Sequence, residues 1–325
     1  MSLRTVWKPE AFQGTLKGRR YFEGWYYRVT SADSKRAFVF IPGVSLAPDP
    51  SDSHSFIQYI DGQTGRSGYV RYPLEEFRPE PGRLDVRVGA SRFRLDRVEL
   101  DLQDGDFSVR GTLGLSGIHG WPVRFLAPGC MGPFRFVPGL ECLHGIVSFD
   151  HDLSDSLSVN GRDLDFDSGR GYIEKDWGHS MPRAWIWLQT NNFGKRRACL
   201  TVSIANVPWL GSSFTGMVAA LWFDNRLHPF TTWNRSRLSR LETGERLRVR
   251  IENRGEALEL EAETPPGAEL ASPESGAMSG RIRETLDAEV RVRLLGRDGS
   301  CLFEGTGTRA GLETVGDTGS LAPRR

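Results

Sequence analysis

Almost every apolar stretch in this chain alternates with a period of two, and almost none repeats at helical spacing. Successive side chains of a strand point to opposite faces, so this pattern buries one face of a sheet and gives a helix no continuous apolar stripe. Residues 21–30, 37–44, 55–60, 83–88 and 92–100 read as strands, as do 184–190, 198–205, 217–223, 246–251, 256–263, 288–295 and 300–306. Asp61-Gly62, Asp104-Gly105, Asn160-Gly161 and Asp298-Gly299 supply hairpin turn signals between strands. The 37 glycines and 18 prolines are scattered, which fits many turns and no low-complexity linker. Short strands with Gly-rich turns predict an all-β chain built as sandwiches or barrels.

A length of 325 residues allows one large domain or two ordinary ones, each with a real core. The net charge of +1 gives no footprint for nucleic acid or an acidic partner. The cysteines at 130, 142, 199 and 301 show no metal or redox spacing, which suits a reduced cytoplasmic protein. The N-terminal residues lack the apolar run of a signal peptide. No stretch approaches the roughly 18 apolar residues of a spanning helix, and peripheral membrane contact stays open.

The two halves also echo each other. Trp25-Tyr26-Tyr27, Thr30 and Lys35-Arg36 lead into an apolar strand, as do Trp185-Ile186-Trp187, Thr190 and Lys195-Arg196. Arg83-Leu84-x-Val86-Arg87-Val88 matches Arg246-Leu247-x-Val249-Arg250-Ile251 at nearly the same offset. The repeat predicts a duplicated β-domain of roughly 160 residues, with domains at 1–165 and 166–325. Alternation places Glu23, Trp25 and Tyr27 on one face, and Arg183, Trp185 and Trp187 on another. The offset makes Glu23 and Arg183 equivalent positions of opposite charge, either a clamp on one space or two unrelated solvated charges.

Several familiar sites are absent. There is no P-loop and no complete G-x-S-x-G elbow. Cys142-x-His144 is the one close Cys/His pair, and zinc would need further ligands. Asp163, Asp165, Asp167 and Glu174 copy a calcium-loop spacing, but Ser168 stands where that loop turns on Gly. No metal site is expected.

Residues 171–189, GYIEKDWGHSMPRAWIWLQ, crowd Glu174, Asp176 and His179 among Trp177, Trp185 and Trp187. On an extended strand Glu174 and Asp176 share a side, and neighbouring carboxylates push one pKa upward. Tyr21-Phe22-Glu23-Gly24-Trp25-Tyr26 resembles the F-E-G-W-Y signature of the tocopherol cyclase family. Tyr172-x-Glu174-Lys175-Asp176-Trp177-Gly178, then Pro182-Arg183-x-Trp185-x-Trp187-x-Gln189, resembles that family's central block, and Ala310-Gly311-Leu312-Glu313 its close. A fainter likeness links the central block to carotenoid hydratases.

The resemblance implies two lipocalin-like antiparallel β-barrel domains in tandem, and an enzyme that needs no cofactor. It implies an apolar substrate, isoprenoid or prenylated aromatic, and closure of a prenylated hydroquinone to a chromanol. That chemistry needs a proton for an alkene, stabilisation of a tertiary cation and attack by a phenol oxygen. Carboxylic acids in an apolar pocket supply the first, and aromatic faces the second. The expected catalytic residues are Glu174, Asp176 and His179, and the expected substrate contacts are Glu23, Trp25, Tyr27, Trp177, Arg183, Trp185, Trp187 and Glu313. The chain departs from the family pattern where Asp176 replaces Asn and His179-Ser180-Met181 follows Gly178. Those changes keep open the hydration of an isoprenoid alkene, and a non-catalytic binder of an apolar ligand. They also leave bland readings standing: Glu174 paired with an arginine, Asp176 capping a turn, the tryptophans packed in a core.

Overall fold

The computed structural model describes residues 5–209 and 211–323. Its first strands are β1 (Tyr21–Thr30), β2 (Ala37–Leu46), β3 (His54–Asp61), β4 (Arg66–Tyr72), β5 (Phe77–Pro79), β6 (Asp85–Val88), β7 (Ser91–Arg94), β8 (Arg97–Asp104) and β9 (Phe107–His119). A small hairpin, β10 (Val123–Arg124) and β11 (Ala127–Pro128), precedes β12 (Cys142–Ser154), β13 (Ser156–Val159), β14 (Arg162–Asp165) and β15 (Arg170–Gly178). Then come β16 (Trp185–Thr190), β17 (Ala198–Trp209), β18 (Ser212–Phe223), β19 (Arg226–Thr231), β20 (Arg237–Glu242), β21 (Arg246–Glu252), β22 (Glu256–Glu263), β23 (Ala268–Glu274), β24 (Ala277–Gly296) and β25 (Cys301–Val315). Each predicted stretch falls on observed strand, but 92–100 breaks between β7 and β8, and β18, β24 and β25 run well beyond the predicted bounds. The Asn160-Gly161 turn takes φ of 51° and 75°, the left-handed pair that a tight hairpin needs.

The strands form two large antiparallel sheets. The first runs β4-β3-β2-β1-β15-β12-β9-β8-β7-β6-β5, and the second β19-β18-β17-β16-β25-β24-β22-β21-β20. The edge strands of each sheet are neighbours in sequence: only residues 73–76 separate β4 from β5, and 232–236 separate β19 from β20. Each sheet must therefore curl until its ends approach, which is the lipocalin-like barrel arrangement. The inner face of the first sheet buries Trp25, Tyr27, Phe38, Phe40, Tyr59, Val86, Val88, Phe93 and Leu113 among others. The second core gathers Ile186, Leu188, Leu200, Val202, Leu221, Leu247, Val249, Ile251, Val292 and Leu312.

The chain divides into two units, one of residues 1–137, 141–181 and 269–281, the other of 138–140, 182–268 and 282–325. The expected boundary at 165/166 falls too early. Strand β15 is hydrogen-bonded along its length to β1 on one side and β12 on the other, so it completes the first sheet.

The repeat is legible in the topology. In each sheet three strands lead away from the opening strand, and the last strand of that sheet pairs on its other side. Leu84, Val86 and Val88 point into one core as Leu247, Val249 and Ile251 point into the other. The tryptophan match is out of phase, however. Trp25 faces the first core, whereas in β16 it is Ile186, not Trp185, that faces the second. Glu23 and Arg183 are consequently no clamp: Glu23 is buried in an ion pair with Lys175, and Arg183 is exposed.

Candidate active site

Strand β15 carries two sets of side chains. Ile173 packs in the core, and Lys175 and Trp177 share its face. Tyr172, Glu174 and Asp176 share the outer face. Asp176 lies opposite His144 across the β12 ladder, and Glu174 lies two pairs further along on the same face, opposite Ile146. Directly opposed strand residues hold their Cβ atoms about 5 Å apart, so the register brings an imidazole between two carboxylates.

His144 Nδ1 sits 2.9 Å from Asp176 Oδ1, and Nε2 sits 3.7 Å from Glu174 Oε2. The Tyr172 hydroxyl donates to Glu174 Oε2 at 2.6 Å. Burial opposes a charge on His144, but Asp176 and Glu174 outweigh it, and its pKa rises from 6.5 to about 9. Cys142 also faces this cluster, its sulfur 3.8 Å from Asp176 Oδ1. Burial first, then Asp176, holds that thiol well above its usual range, so it stays protonated.

The cluster is graded in exposure. Glu174 is 4% exposed, while the Asp176 side chain is 29% exposed and that of His144 11%. Asp176 pairs across β1 with Gly24, and Gly24 and Ile41 are partly exposed beside it. A Cβ on Gly24 would stand 3.4 Å from Ile41 Cγ2 and 3.7 Å from the Pro42 carbonyl, which is ordinary contact. The missing side chain therefore opens a shallow floor next to Asp176 without any backbone strain requiring it. Along the same outer face a cavity of about 380 Å³ lies between β3, β4 and residues 269–281. There the Tyr69 hydroxyl meets His54 Nε2 at 2.6 Å, and Gln58 bonds both backbone groups of Ala271.

The inner set does a different job. The Lys175 ammonium is fully buried, 2.5 Å from Glu23 and 4.8 Å from each of the Trp25 and Trp177 rings. It donates to the Pro9 carbonyl at 3.1 Å and to that of Ala11. Glu23 accepts from the Gln13 amide at 3.0 Å, the Gly14 amide at 3.2 Å and the Tyr21 hydroxyl. Arg135 stacks on Trp177 and holds Gln13 at 2.5 Å. Glu23, Trp25, Tyr27 and Trp177, expected at the substrate, thus belong to the packed side of β1 and β15. Strand alternation puts them on the face opposite Glu174 and Asp176, where Glu23, Trp25 and Lys175 fasten residues 9–14 and Tyr27 donates to the Arg94 carbonyl.

The second unit has its own acid–aromatic group. Trp185 Nε1 donates to Glu313 Oε2 at 2.5 Å. Trp187, Glu313 and Glu284 occupy one cross-strand row of β16, β25 and β24, all buried. A Cβ on Gly311 would come within 2.7 Å of the Trp187 ring, so glycine is needed for that ring to lie flat there. Of the expected residues, the structure brings Trp185, Trp187 and Glu313 together. Arg183 stands outside this group.

His179 lies one residue beyond β15, its ring 3.2 Å from Ser180 Oγ and its backbone bonded to Glu141. The imidazole between the carboxylates is His144 instead. Two signals for the full cluster were present in the sequence: Tyr172-x-Glu174-x-Asp176 and Cys142-x-His144 each alternate onto one face. Their convergence needed the pairing of β12 with β15, which no local pattern encodes.

His144, Glu174 and Asp176 place one ligand atom each within 4.8 Å of one another, a donor set that suits a divalent ion. The ring, however, offers a different nitrogen to each carboxylate and lies between them. One ion could take only one of those nitrogens. The geometry is that of a proton array in which the ring is hydrogen-bonded to Asp176 and faces Glu174 as an ion-pair partner.

Comparison with known proteins decides the family. A tocopherol cyclase-like model matches residues 120–316, which include the whole His144–Glu174–Asp176 array. The chain belongs to the tocopherol cyclase-like family. It is 24% identical to a probable chloroplastic tocopherol cyclase of Oryza sativa subsp. japonica, over 97% of this chain and 79% of that protein. It is 21% identical to the chloroplastic tocopherol cyclase of Zea mays, over 97% and 78%. In fold it is similar to kievitone hydratase from Nectria haematococca, with a TM-score of 0.52 and 15% identity, covering 95% of this chain and 94% of that one. It is also similar to CghA, with a TM-score of 0.59 and 12% identity, covering 91% and 89%. At such identities the solved structures speak to the fold alone.

Proposed function

We propose that this tocopherol cyclase-like chain is a cofactor-free acid catalyst that closes a prenylated hydroquinone onto its own isoprenoid alkene. The observation that carries the reading is His144 held between Asp176 and Glu174, with Asp176 the most open member. The proton shared along the His144–Asp176 contact is delivered to the less substituted alkene carbon. A C–H bond forms, the π-bond breaks, and positive charge develops at the tertiary carbon. The Asp176 and Glu174 carboxylates face that charge and lower its energy. The phenol oxygen then forms the C–O bond, and its released proton returns to the array. Atoms and electrons balance within one substrate molecule, so neither oxidant nor co-reactant enters. His144 acts as the proton reservoir, and Tyr172 fixes Glu174 for its role by donating to one oxygen.

The partial exposure of Asp176 favours one second reading, in which water captures the cation and the product is a tertiary alcohol. Incubating purified protein with a prenylated hydroquinone separates the two: cyclisation gives an isomer, hydration a product heavier by one water. D176N, E174Q and H144Q should each lower kcat by about 10²–10⁴ with little change in KM. Full turnover in all three variants would place the acid elsewhere. Saturable binding without any turnover by the wild type would favour a carrier protein instead.

A further inference from the structure

One apolar feature of the first unit serves neither its core nor its proton array. The hairpin β10–β11 is only two residues long on each side, and its tip is Phe125-Leu126. Phe125 is 76% exposed and Leu126 73%, the largest values among the exposed large hydrophobics. Trp7 stacks on Phe125 at 5.6 Å with 9° between the planes, and its indole nitrogen donates to the Phe125 carbonyl at 3.0 Å. Phe136 meets the same indole edge-on at 6.4 Å, and Val123 stands at the base of the hairpin. Trp7, Val123 and Phe136 are themselves 38%, 45% and 47% exposed.

We propose that this knob is a lipid-surface anchor that inserts Phe125 and Leu126 among acyl chains. Its shape is the first reason: the two most exposed side chains sit on a protruding tip, which a protein partner would have to receive in a pocket but a bilayer accepts anywhere. The second is the collar. An indole with its N–H tied to backbone beneath an apolar tip matches the level at which tryptophan settles in a membrane interface. The third is charge. From His119 to Leu140 there is no acidic residue, and exposed Lys8 and Arg124 flank Trp7 and Phe125 in sequence, complementary to a lipid headgroup layer. The polar hairpin backbone stays paired through its own two-rung ladder and the Trp7 bond, so insertion strands few polar groups. The assignment is independent of the proton chemistry proposed above.

Flotation of the full chain with vesicles is the test. Phosphatidylcholine vesicles and vesicles containing phosphatidylglycerol should both carry the wild type upward, the latter a few-fold better at low salt. F125S/L126S should lower the partition coefficient on the order of 100-fold, while keeping the same thermal transition and the same turnover of a detergent-solubilised substrate. K8E/R124E should erase only the preference for the anionic vesicles. Equal flotation of wild type and F125S/L126S, or no flotation of the wild type with either vesicle, overturns the proposal. So does concentration-dependent self-association of the wild type that F125S/L126S abolishes in the absence of vesicle binding, which would make the knob an interface between copies.

Discussion

Replacing Lys175 with Met tests the division of β15 into an anchoring face and a chemical face. Methionine keeps most of the stem's packing volume and removes the charge. The substitution deletes an ion pair of 2.5 Å in which both side chains are fully buried, and two donations to the Pro9 and Ala11 carbonyls. It also deletes the cation shared by the Trp25 and Trp177 faces. Glu23 would remain buried, with three hydrogen-bond donors and only the more distant Arg135 charge to face it. Leaving one member of a buried pair uncompensated costs about 3–5 kcal/mol. Burial lowers the Lys175 pKa, with Glu23 opposing, so part of the pairing energy already offsets desolvation and the lower end of that range is expected. Urea denaturation followed by tryptophan fluorescence should show the first unit's transition move by that amount. E23Q/K175M should regain half or more of the loss, because it removes the orphaned charge. Turnover by the folded K175M protein should stay within about threefold of wild type, since Lys175 points away from the array. A stability change below about 1 kcal/mol would show that the pair behaves as a solvated surface contact and refute the anchoring argument.

Other consequences are as direct. His144 is raised from 6.5 to about 9, so the native state keeps a proton that the unfolded chain releases in that interval. Its contribution is complete below pH 6.5 and disappears as pH rises through 9. The stability difference between wild type and H144Q should therefore shrink over that window by on the order of a few kcal/mol, and a constant difference would contradict the assigned contacts. G24A should fold at least as stably as wild type, because alanine suits a strand interior better by roughly 0.5–1 kcal/mol and meets only ordinary contacts. It should nonetheless raise KM several-fold by filling the floor beside Asp176, and unchanged kinetics would show that substrate lies elsewhere. Exhaustive chelation should leave kcat unaltered, whereas loss restored by a divalent ion would convert His144, Glu174 and Asp176 from a proton array into ligands.

The sequence made the strands readable because burying one face of a sheet imposes period two, and 21–30 and 256–263 coincide with β1 and β22 residue for residue. The same alternation hid the division of labour within Glu174-Lys175-Asp176-Trp177. Adjacent residues with related chemistry looked like one site, although the backbone sends Trp177 and Lys175 into the anchor and the two acids outward. The repeat was visible, but at the tryptophans its phase was not. A one-residue slip exchanges the two faces of a strand, and nothing local distinguishes the frames. His144 stood out only as a neighbour of Cys142, because its carboxylate partners lie thirty and more residues later in the chain, where only ladder register brings them together. The gradation from buried Glu174 to open Asp176 likewise belongs to tertiary packing rather than to the motif.

The central claim is that the array gives a proton to an isoprenoid alkene. It is tested most directly by running the reaction of a prenylated hydroquinone in deuterated water and examining the product by mass spectrometry and NMR. The account predicts one non-exchangeable deuterium per chromanol, on the carbon next to the new ether carbon, and loss of that product in D176N and H144Q alike. A cyclised product without carbon-bound deuterium, or one formed undiminished by both variants, would contradict it.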